Sequence, residues 1–391
     1  MMAHQSPIRV GVIGAGFIGP VHIESLRRLG GVEVLGLAGR DQESAERKAA
    51  ALGIPRAYGD YFQLIADPDI QVVHICSPNR DHFPAARAAL AAGKHVMCEK
   101  PLAMTSDESG ALVRLAEASG LAHAVTFNIR FYPLLQQART MIQRGDLGDI
   151  YLVHGGFWQD WLLFDTDYNW RVEGAAGGDL RAVGDLGSHW IDLAQFLTGL
   201  PVTRVLADLI TFLPIRQKPD QAIETFSTRD VPRTPVKMDT EDAATVLLGL
   251  GDRARGLMQV SQVSAGRKCK LEIEVNGSRG SLSWNAERPN ELWIGHRDAP
   301  NQVLLKDPAL MDPPANTIAR YPGGHDEGFP DSHTAINRAL YGFIRAGGYG
   351  AGLQPTYPTF VDGHRENLIA DAILASARDE RWARVEVPPP A

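Results

Sequence analysis

Ile8-Arg9-Val10-Gly11-Val12-Ile13 runs directly into Gly14-Ala15-Gly16-Phe17-Ile18-Gly19, and a helical pattern through His22, Leu26 and Leu29 follows. Strand, glycine turn and helix in this order form one working unit. Gly14 permits the tight turn, Gly16 lets the backbone approach a pyrophosphate, and Gly19 lets the helix pack closely on the strand. The helix start, where Phe17 and Ile18 lie, offers free N–H groups and the positive end of its dipole to phosphates. A glycine-rich turn with only a packing role is the alternative. The strand before it and the helix after it favour dinucleotide binding.

The next strand, Val32 to Ala38, should end in an acid if the adenosine ribose hydroxyls of NAD are to be bound there. It ends instead in Gly39-Arg40-Asp41. Arg40 is a candidate to stack on adenine or pair with a 2′-phosphate, or else a solvated charge with Asp41 capping the next helix. NAD and NADP both stay open. Alternation continues with a short helix at Tyr61 to Ile65 and a strand Val72 to Cys76 that ends in Ser77-Pro78-Asn79. An Ala-rich helix from Phe83 to Ala92 precedes a strand His95 to Cys98, which ends in Glu99-Lys100-Pro101. A helix Ser106 to Ser119 and a strand Ala122 to Phe127 complete the pattern. Strands alternating with helices argue for a parallel, doubly wound sheet, whose ligands bind at the C-terminal strand ends. Ser77, Asn79, His82, Glu99 and Lys100 all fall there as cofactor candidates, with Gly39 and Arg40 at the neighbouring strand end. His74 and His95, in or beside apolar strands, read as structural.

The remaining composition narrows the class. A chain of 391 residues suggests two domains. The net charge of −7 gives no basic field for nucleic acid, and no apolar run approaches the ~20 residues that span a bilayer. The start carries no charged-then-apolar leader, so a cytoplasmic location is expected. Cys76, Cys98 and Cys269 match neither a disulfide framework nor a zinc site, and no metal is expected.

The segment Gly177 to Leu193 carries Asp185 and His189, four residues apart. On a helix that spacing puts both side chains on one face. A helix start with an Asp cap and an incidental histidine is the bland alternative. An imidazole can take a hydroxyl proton near neutrality, and a lysine such as Lys100 can stabilise a developing alkoxide. Downstream, Trp158, Gln159, Asp160, Trp161 and Arg171 combine aromatic faces with polar groups, as carbohydrate sites do. A core role for the tryptophans is the alternative.

The glycine turn, Ser77-Pro78-Asn79, Glu99-Lys100-Pro101, Phe127-Asn128-Ile129-Arg130 and Gly184-Asp185-Leu186-Gly187-Ser188-His189-Trp190-Ile191-Asp192 occur in this order. Together they resemble the glucose–fructose oxidoreductase/inositol dehydrogenase/MocA family over nearly the whole chain. Phe157 to Trp161, Trp170-Arg171 and Glu287 to Leu292 resemble the subgroup of levoglucosan dehydrogenase and related glycoside-oxidising enzymes. The resemblance implies an α/β fold. An N-terminal Rossmann doubly wound parallel sheet, residues 1–127, precedes a C-terminal α+β domain, residues 128–391, with a large open, mainly antiparallel sheet. The last helix, about 360–377, is a candidate to pack back on the Rossmann domain. It also implies an NAD(P)-dependent dehydrogenase of sugars, anhydrosugars, glycosides or cyclitols, with Lys100, Asp185 and His189 at the reacting carbon. Arg130, Trp158, Gln159, Asp160, Arg171 and His325 are further substrate candidates, and Glu327 and His364 are lesser ones. A homodimer or homotetramer that covers one face of the large sheet is expected. An NAD-dependent glycoside hydrolase working by transient oxidation and a non-catalytic nucleotide sensor are the competing readings.

The strand patterns after residue 150 suggest an antiparallel meander. The stretches 213–242 and 307–331, rich in Pro and polar residues, read as long loops.

Overall fold

The computed structural model describes residues 6–221 and 231–386, so residues 222–230 of the first expected long loop lie outside the described residues. The chain forms two compact units. One comprises Met1–Thr126 with His333–Asn367, the other Phe127–Ser332 with Leu368–Ala391.

The first unit alternates β1 (Ile8–Ile13), α1 (Ile18–Arg27), β2 (Val32–Ala38), α2 (Gln42–Leu52), β3 (Arg56–Tyr58), α3 (Tyr61–Ala66), β4 (Val72–Ile75), α4 (His82–Ala91), β5 (His95–Cys98), α5 (Ser106–Ser119) and β6 (His123–Val125). The strands form one parallel sheet in the order β3-β2-β1-β4-β5-β6. Helices cover both faces, so the central strands are apolar almost throughout. Val10, Val12, Leu37, Val72, Val73, Ile75, Val96 and Met97 are fully buried. Local chemistry sets the helix ends: the Asp41 carboxylate accepts from Ser44 N at 2.7 Å to start α2, and Gly53, in the left-handed region, ends it. Strand β3 was not anticipated; three half-buried residues, Arg56 to Tyr58, give too short a pattern to read.

The second unit holds α6 (Pro133–Arg144), β7 (Ile150–Trp158), α7 (Gly174–Gly177), a single π turn (Val183–Gly187), α8 (Ser188–Thr198), β8 (Val202–Ile210), β9 (Ile215–Pro219), β10 (Arg233–Lys237), β11 (Ala243–Leu250), β12 (Ala254–Ser261), β13 (Lys270–Gly277), β14 (Ser281–Asn285), β15 (Glu291–Gly295) and β16 (Gln302–Leu305). Two long helices, α9 (Phe329–Arg345) and α10 (Phe360–Asp379), each belong partly to both units, and β17 (Ala383–Arg384) ends the sheet. The nine-stranded order is β16-β15-β14-β13-β7-β12-β11-β8-β17. It is not a plain meander, because β7 enters between β13 and β12 and runs parallel to β12. The stretch 213–242 is not simply a loop either: β9 and β10 pair as an antiparallel ribbon within it.

One sheet face packs on α6 and α8 through Phe157, Met258, Ile273 and the fully buried Trp190, whose indole N–H donates to Glu272 O at 2.9 Å. On the other face Leu152, Leu247 and Leu257 are exposed. Among the described residues, no helix is long and apolar enough to cross a membrane and no group of three or more His, Cys, Asp or Glu could hold a metal. Cys76 and Cys98 are buried free thiols, and Cys269 is an exposed one.

A buried charge cluster fixes the segment that leads into α8. Asp242 accepts from Arg181 Nη2 and, at 2.7 Å, from Arg216 Nη2; all three side chains are fully buried. Glu241 accepts from the backbone N–H groups of Arg181 (3.0 Å) and Val183 (2.8 Å), so its carboxylate caps the start of the π turn. A second pair, Arg130 with Asp192, forks bidentately onto α8 one turn beyond His189.

Asp242→Asn leaves two buried guanidinium groups without their shared anion. It should cost about 3–5 kcal/mol of stability, seen as a lowered urea midpoint; a change below about 1 kcal/mol would show the cluster to be dispensable. Buried histidines give a second expectation. His123 Nδ1 accepts from Phe360 N, and burial lowers its pKa to about 4. The unfolded chain therefore takes up a proton near ~6.5 that the folded chain refuses until about 4, so stability falls on acidification through that window. The melting temperature should drop over this range, and less steeply in His123→Gln; equal slopes would exclude His123 as a cause.

Candidate functional site

In the first unit, the functional candidates gather at the C-terminal ends of β1, β4 and β5. Gly14 has a φ of +95°, and a Cβ there would stand 2.5 Å from Cys76 O. A Cβ on Gly19 would stand 2.2 Å from Gly14 O, whereas one on Gly16 would meet nothing within 4 Å. The turn is thus closed toward the sheet and open over Gly16. Phe17 is 55 % exposed at the start of α1, with Ile18 half-buried behind it. The Ser77 hydroxyl oxygen is buried with no partner among the described residues. An open glycine cradle at a helix start beside an orphaned hydroxyl fits a nicotinamide dinucleotide. Gly39 packs against Ala45, and Arg40, whose side chain is 73 % exposed, leans on Asp41 at 3.2 Å.

Lys100 follows β5, half-buried, and the Lys100–Pro101 bond is cis. His82 ties this segment to the Ser77 turn: Nδ1 lies 2.7 Å from Pro101 O and Nε2 lies 3.1 Å from Ser77 O. Burial lowers the His82 pKa. A neutral ring has one N–H, so His82 donates to one of these two carbonyls and lies against the other, between the two loops. Glu99 turns inward too, its Oε1 lying 3.1 Å from His22 Nε2.

In the second unit, Asp185 lies in the π turn and His189 in the first turn of α8, so the helical spacing holds with one wider turn inserted. Asp185 is gripped from two sides. Arg171 Nε lies 3.4 Å from Oδ1, and Gln262 Nε2 donates to Oδ2 at 3.1 Å. The Arg171 guanidinium lies over the Trp161 ring at 5.1 Å and the Trp170 ring at 4.4 Å, which fixes a long cation at little further entropic cost. His189 is buried between the rings of Phe127 and Phe157, at 6.1 Å and 6.4 Å. Gln262 was not singled out in the sequence; a lone glutamine past a strand end has no motif. Its Oε1, like that of Gln159, is buried without a partner among the described residues.

Other candidates fall elsewhere. Strand alternation puts Trp158 on the face opposite Phe157, where its indole N–H donates to Gln259 at 3.1 Å and its ring lies under the Lys270 ammonium; it is not brought to His189. Asp160 accepts from Lys268 Nζ at 2.6 Å and Gly266 N at 3.0 Å; the Lys268 bond holds its pKa below the ordinary value. Arg130 is committed to Asp192. His325 is exposed, with Nδ1 3.3 Å from Gly323 O, while Glu327 is buried against Lys306 at 3.0 Å. His364 bonds Ser109 at 2.9 Å, inside the first unit.

Two family models match the chain. Residues 8–127 match the oxidoreductase family, NAD-binding Rossmann fold, and residues 135–283 match the C-terminal domain of the same glucose–fructose oxidoreductase/inositol dehydrogenase/MocA family. Levoglucosan dehydrogenase of Pseudarthrobacter phenanthrenivorans is 31 % identical, over 97 % of this chain and 98 % of that protein. A solved levoglucosan dehydrogenase in complex with NADH and L-sorbose superposes with a TM-score of 0.88 at 29 % identity, covering 97 % of this chain and 99 % of that one. An inositol dehydrogenase homologue of Azotobacter vinelandii, complexed with NADH and myo-inositol, gives 0.84 at 29 % identity, covering 97 % and 98 %. With the Rossmann order of the first sheet and the large mixed sheet of the second unit, the chain belongs to the glucose–fructose oxidoreductase/inositol dehydrogenase/MocA family of NAD-binding oxidoreductases.

Proposed function

We propose that the protein oxidises a secondary hydroxyl of a sugar, anhydrosugar, glycoside or cyclitol, with His189 taking the hydroxyl proton and Lys100 stabilising the alkoxide. The observation that carries this reading is the grip on Asp185 by Arg171 and Gln262, one wide turn ahead of His189. When bound, the nicotinamide supplies the hydride acceptor. The chain's own groups manage the proton and the oxygen. The imidazole of His189, enclosed by Phe127 and Phe157, accepts the O–H proton as the C–O bond becomes a carbonyl. The Lys100 ammonium stabilises the oxygen that carries the developing negative charge. Asp185 orients a hydroxyl or the imidazole, and the amide oxygens of Gln159 and Gln262 are acceptors for neighbouring hydroxyls. Such a set favours a polyhydroxylated ring over a simple alcohol.

A panel of sugars, anhydrosugars, glycosides and cyclitols, followed by absorbance of the reduced cofactor, tests the reading. Stoichiometric cofactor reduction is expected; glycoside cleavage without net reduction would overturn it in favour of hydrolysis. Lys100→Ala should lower kcat by about 10²–10³-fold while NADH still binds, and an active variant would remove Lys100 from the reaction. The end of β2 carries Arg40 in place of an acid, with the Asp41 carboxylate turned to cap α2, so a cation is offered to a 2′-phosphate there. NADP is therefore expected to serve alongside NAD, and Arg40→Asp to lower kcat/KM for NADP about tenfold relative to NAD. An unchanged ratio would show that Arg40 does not read the phosphate.

A further inference from the structure

Beside the glycine turn, a line of buried polar groups runs through the first unit. His22 of α1 is fully buried. Its Nε2 lies 3.1 Å from Glu99 Oε1, and its Nδ1 lies 2.9 Å from His74 Nδ1. His74 of β4 presents Nε2 to the Tyr341 hydroxyl of α9 at 2.9 Å. The other Glu99 oxygen faces the backbone N–H of Lys100 at 3.4 Å. His333 packs edge-on against the His22 ring at 5.5 Å, and Cys76 adjoins His22 as well.

Proton counting restricts this line. A carboxylate only accepts, so His22 Nε2 carries a proton whenever Glu99 is ionised. Two facing Nδ1 atoms share one proton, so one ring donates and the other accepts. Either His22 is an imidazolium that donates to both Glu99 and His74, or it is neutral and receives from His74, which receives from Tyr341. Burial alone would lower the His22 pKa, but the Glu99 carboxylate, 3.1 Å from Nε2, raises it. Burial would raise the Glu99 pKa, but His22, helped by Lys100 and His333, brings it to about 2. Burial and the neighbouring His22 charge hold His74 well below its ordinary value, and burial keeps Cys76 a thiol. A carboxylate buried 3.1 Å from a fully buried ring needs a countercharge there, and the imidazolium arrangement supplies it, with His74 neutral and donating to Tyr341.

A buried carboxylate next to Lys100 in sequence would by itself compete with substrate for the Lys100 ammonium. We propose that His22 is a positioning residue for Lys100: its buried cation neutralises the Glu99 carboxylate, loosens the hold of that carboxylate on the lysine and fixes the turn that presents it. His74 and Tyr341 set the orientation of the His22 ring. The inference rests on the role given to Lys100 under the proposed function.

Nitrogen-15 NMR of histidine-labelled full-length protein tests the charge without turnover. His22 should resonate as an imidazolium at about pH 8, where a free histidine is neutral, and as a neutral ring in Glu99→Gln. Kinetics test the role. His22→Leu should lower kcat about 10- to 100-fold, with NADH affinity unchanged and the alkaline limb of the kcat profile moved to higher pH. In a Glu99→Gln background the same substitution should change kcat by less than about twofold, because its target is gone. His22→Gln, which keeps an N–H donor without the charge, should fall between wild type and His22→Leu, and it carries the kinetic comparison if the leucine variant does not fold. A neutral His22 at that pH, or a His22→Leu effect undiminished by Glu99→Gln, overturns the proposal. An active Lys100→Ala variant would instead overturn the assignment of Lys100, and the NMR result would stand apart from it.

Discussion

Asp242 accepts two guanidinium groups at once, fully out of water, and the geometry around His189 depends on that pairing. Two buried cations cannot stand near each other without an anion between them, because each alone carries a desolvation penalty of several kcal/mol. Arg181 therefore stays where Asp242 is, and Glu241 next to it caps the backbone N–H groups of Arg181 and Val183. The π turn that follows has one residue more per turn than an α-helix would, and Asp185 comes out of it facing Arg171 and Gln262. Arg130 and Asp192 then pin α8 beyond His189. Charge compensation, more than helix propensity, sets the direction of both side chains.

The first unit solves a related problem with fewer charges. Its buried histidines are mostly neutral braces. His82 lies between two loop carbonyls and donates to one of them, and His123 accepts at the start of α10. His22 differs because it lies against a carboxylate. A buried polar group is tolerated when each proton has a place to go, and the line from Glu99 to Tyr341 meets that condition with a single net ion pair.

The glycine turn and the alternation of strands with helices were legible because they rest on local rules: a turn that only glycine fits, and apolar runs that only a doubly covered sheet needs. The near-helical spacing of Asp185 and His189 was legible, and it holds with one wider turn inserted. The role of Trp158 was not, since a Phe-Trp pair reads as one aromatic cluster until strand alternation sends Phe157 and Trp158 to opposite faces. Arg130 and Asp160 looked free in a linear chain; their partners, Asp192 and Lys268, lie 62 and 108 residues away. Gln262 was invisible for the same reason, because its meaning comes from Asp185, far back in the chain. The entry of β7 between β13 and β12 is also non-local, and hairpin signals alone favour a meander.

The return of the chain into the first unit sets a limit on how the protein can be divided. Tyr341 backs His74, Asn337 donates to Ser25 at 2.7 Å, Phe360 N meets His123, and Asn367 donates to Ala103 O at 2.8 Å. All four come from beyond residue 332, after the long first segment of the second unit, Phe127–Ser332. A fragment that stops after β6 keeps every residue of the nucleotide motif yet loses the chain that satisfies its buried histidines. The nucleotide-binding half is thus continuous in space and interrupted in sequence. During synthesis it cannot be completed until nearly the entire polypeptide has emerged.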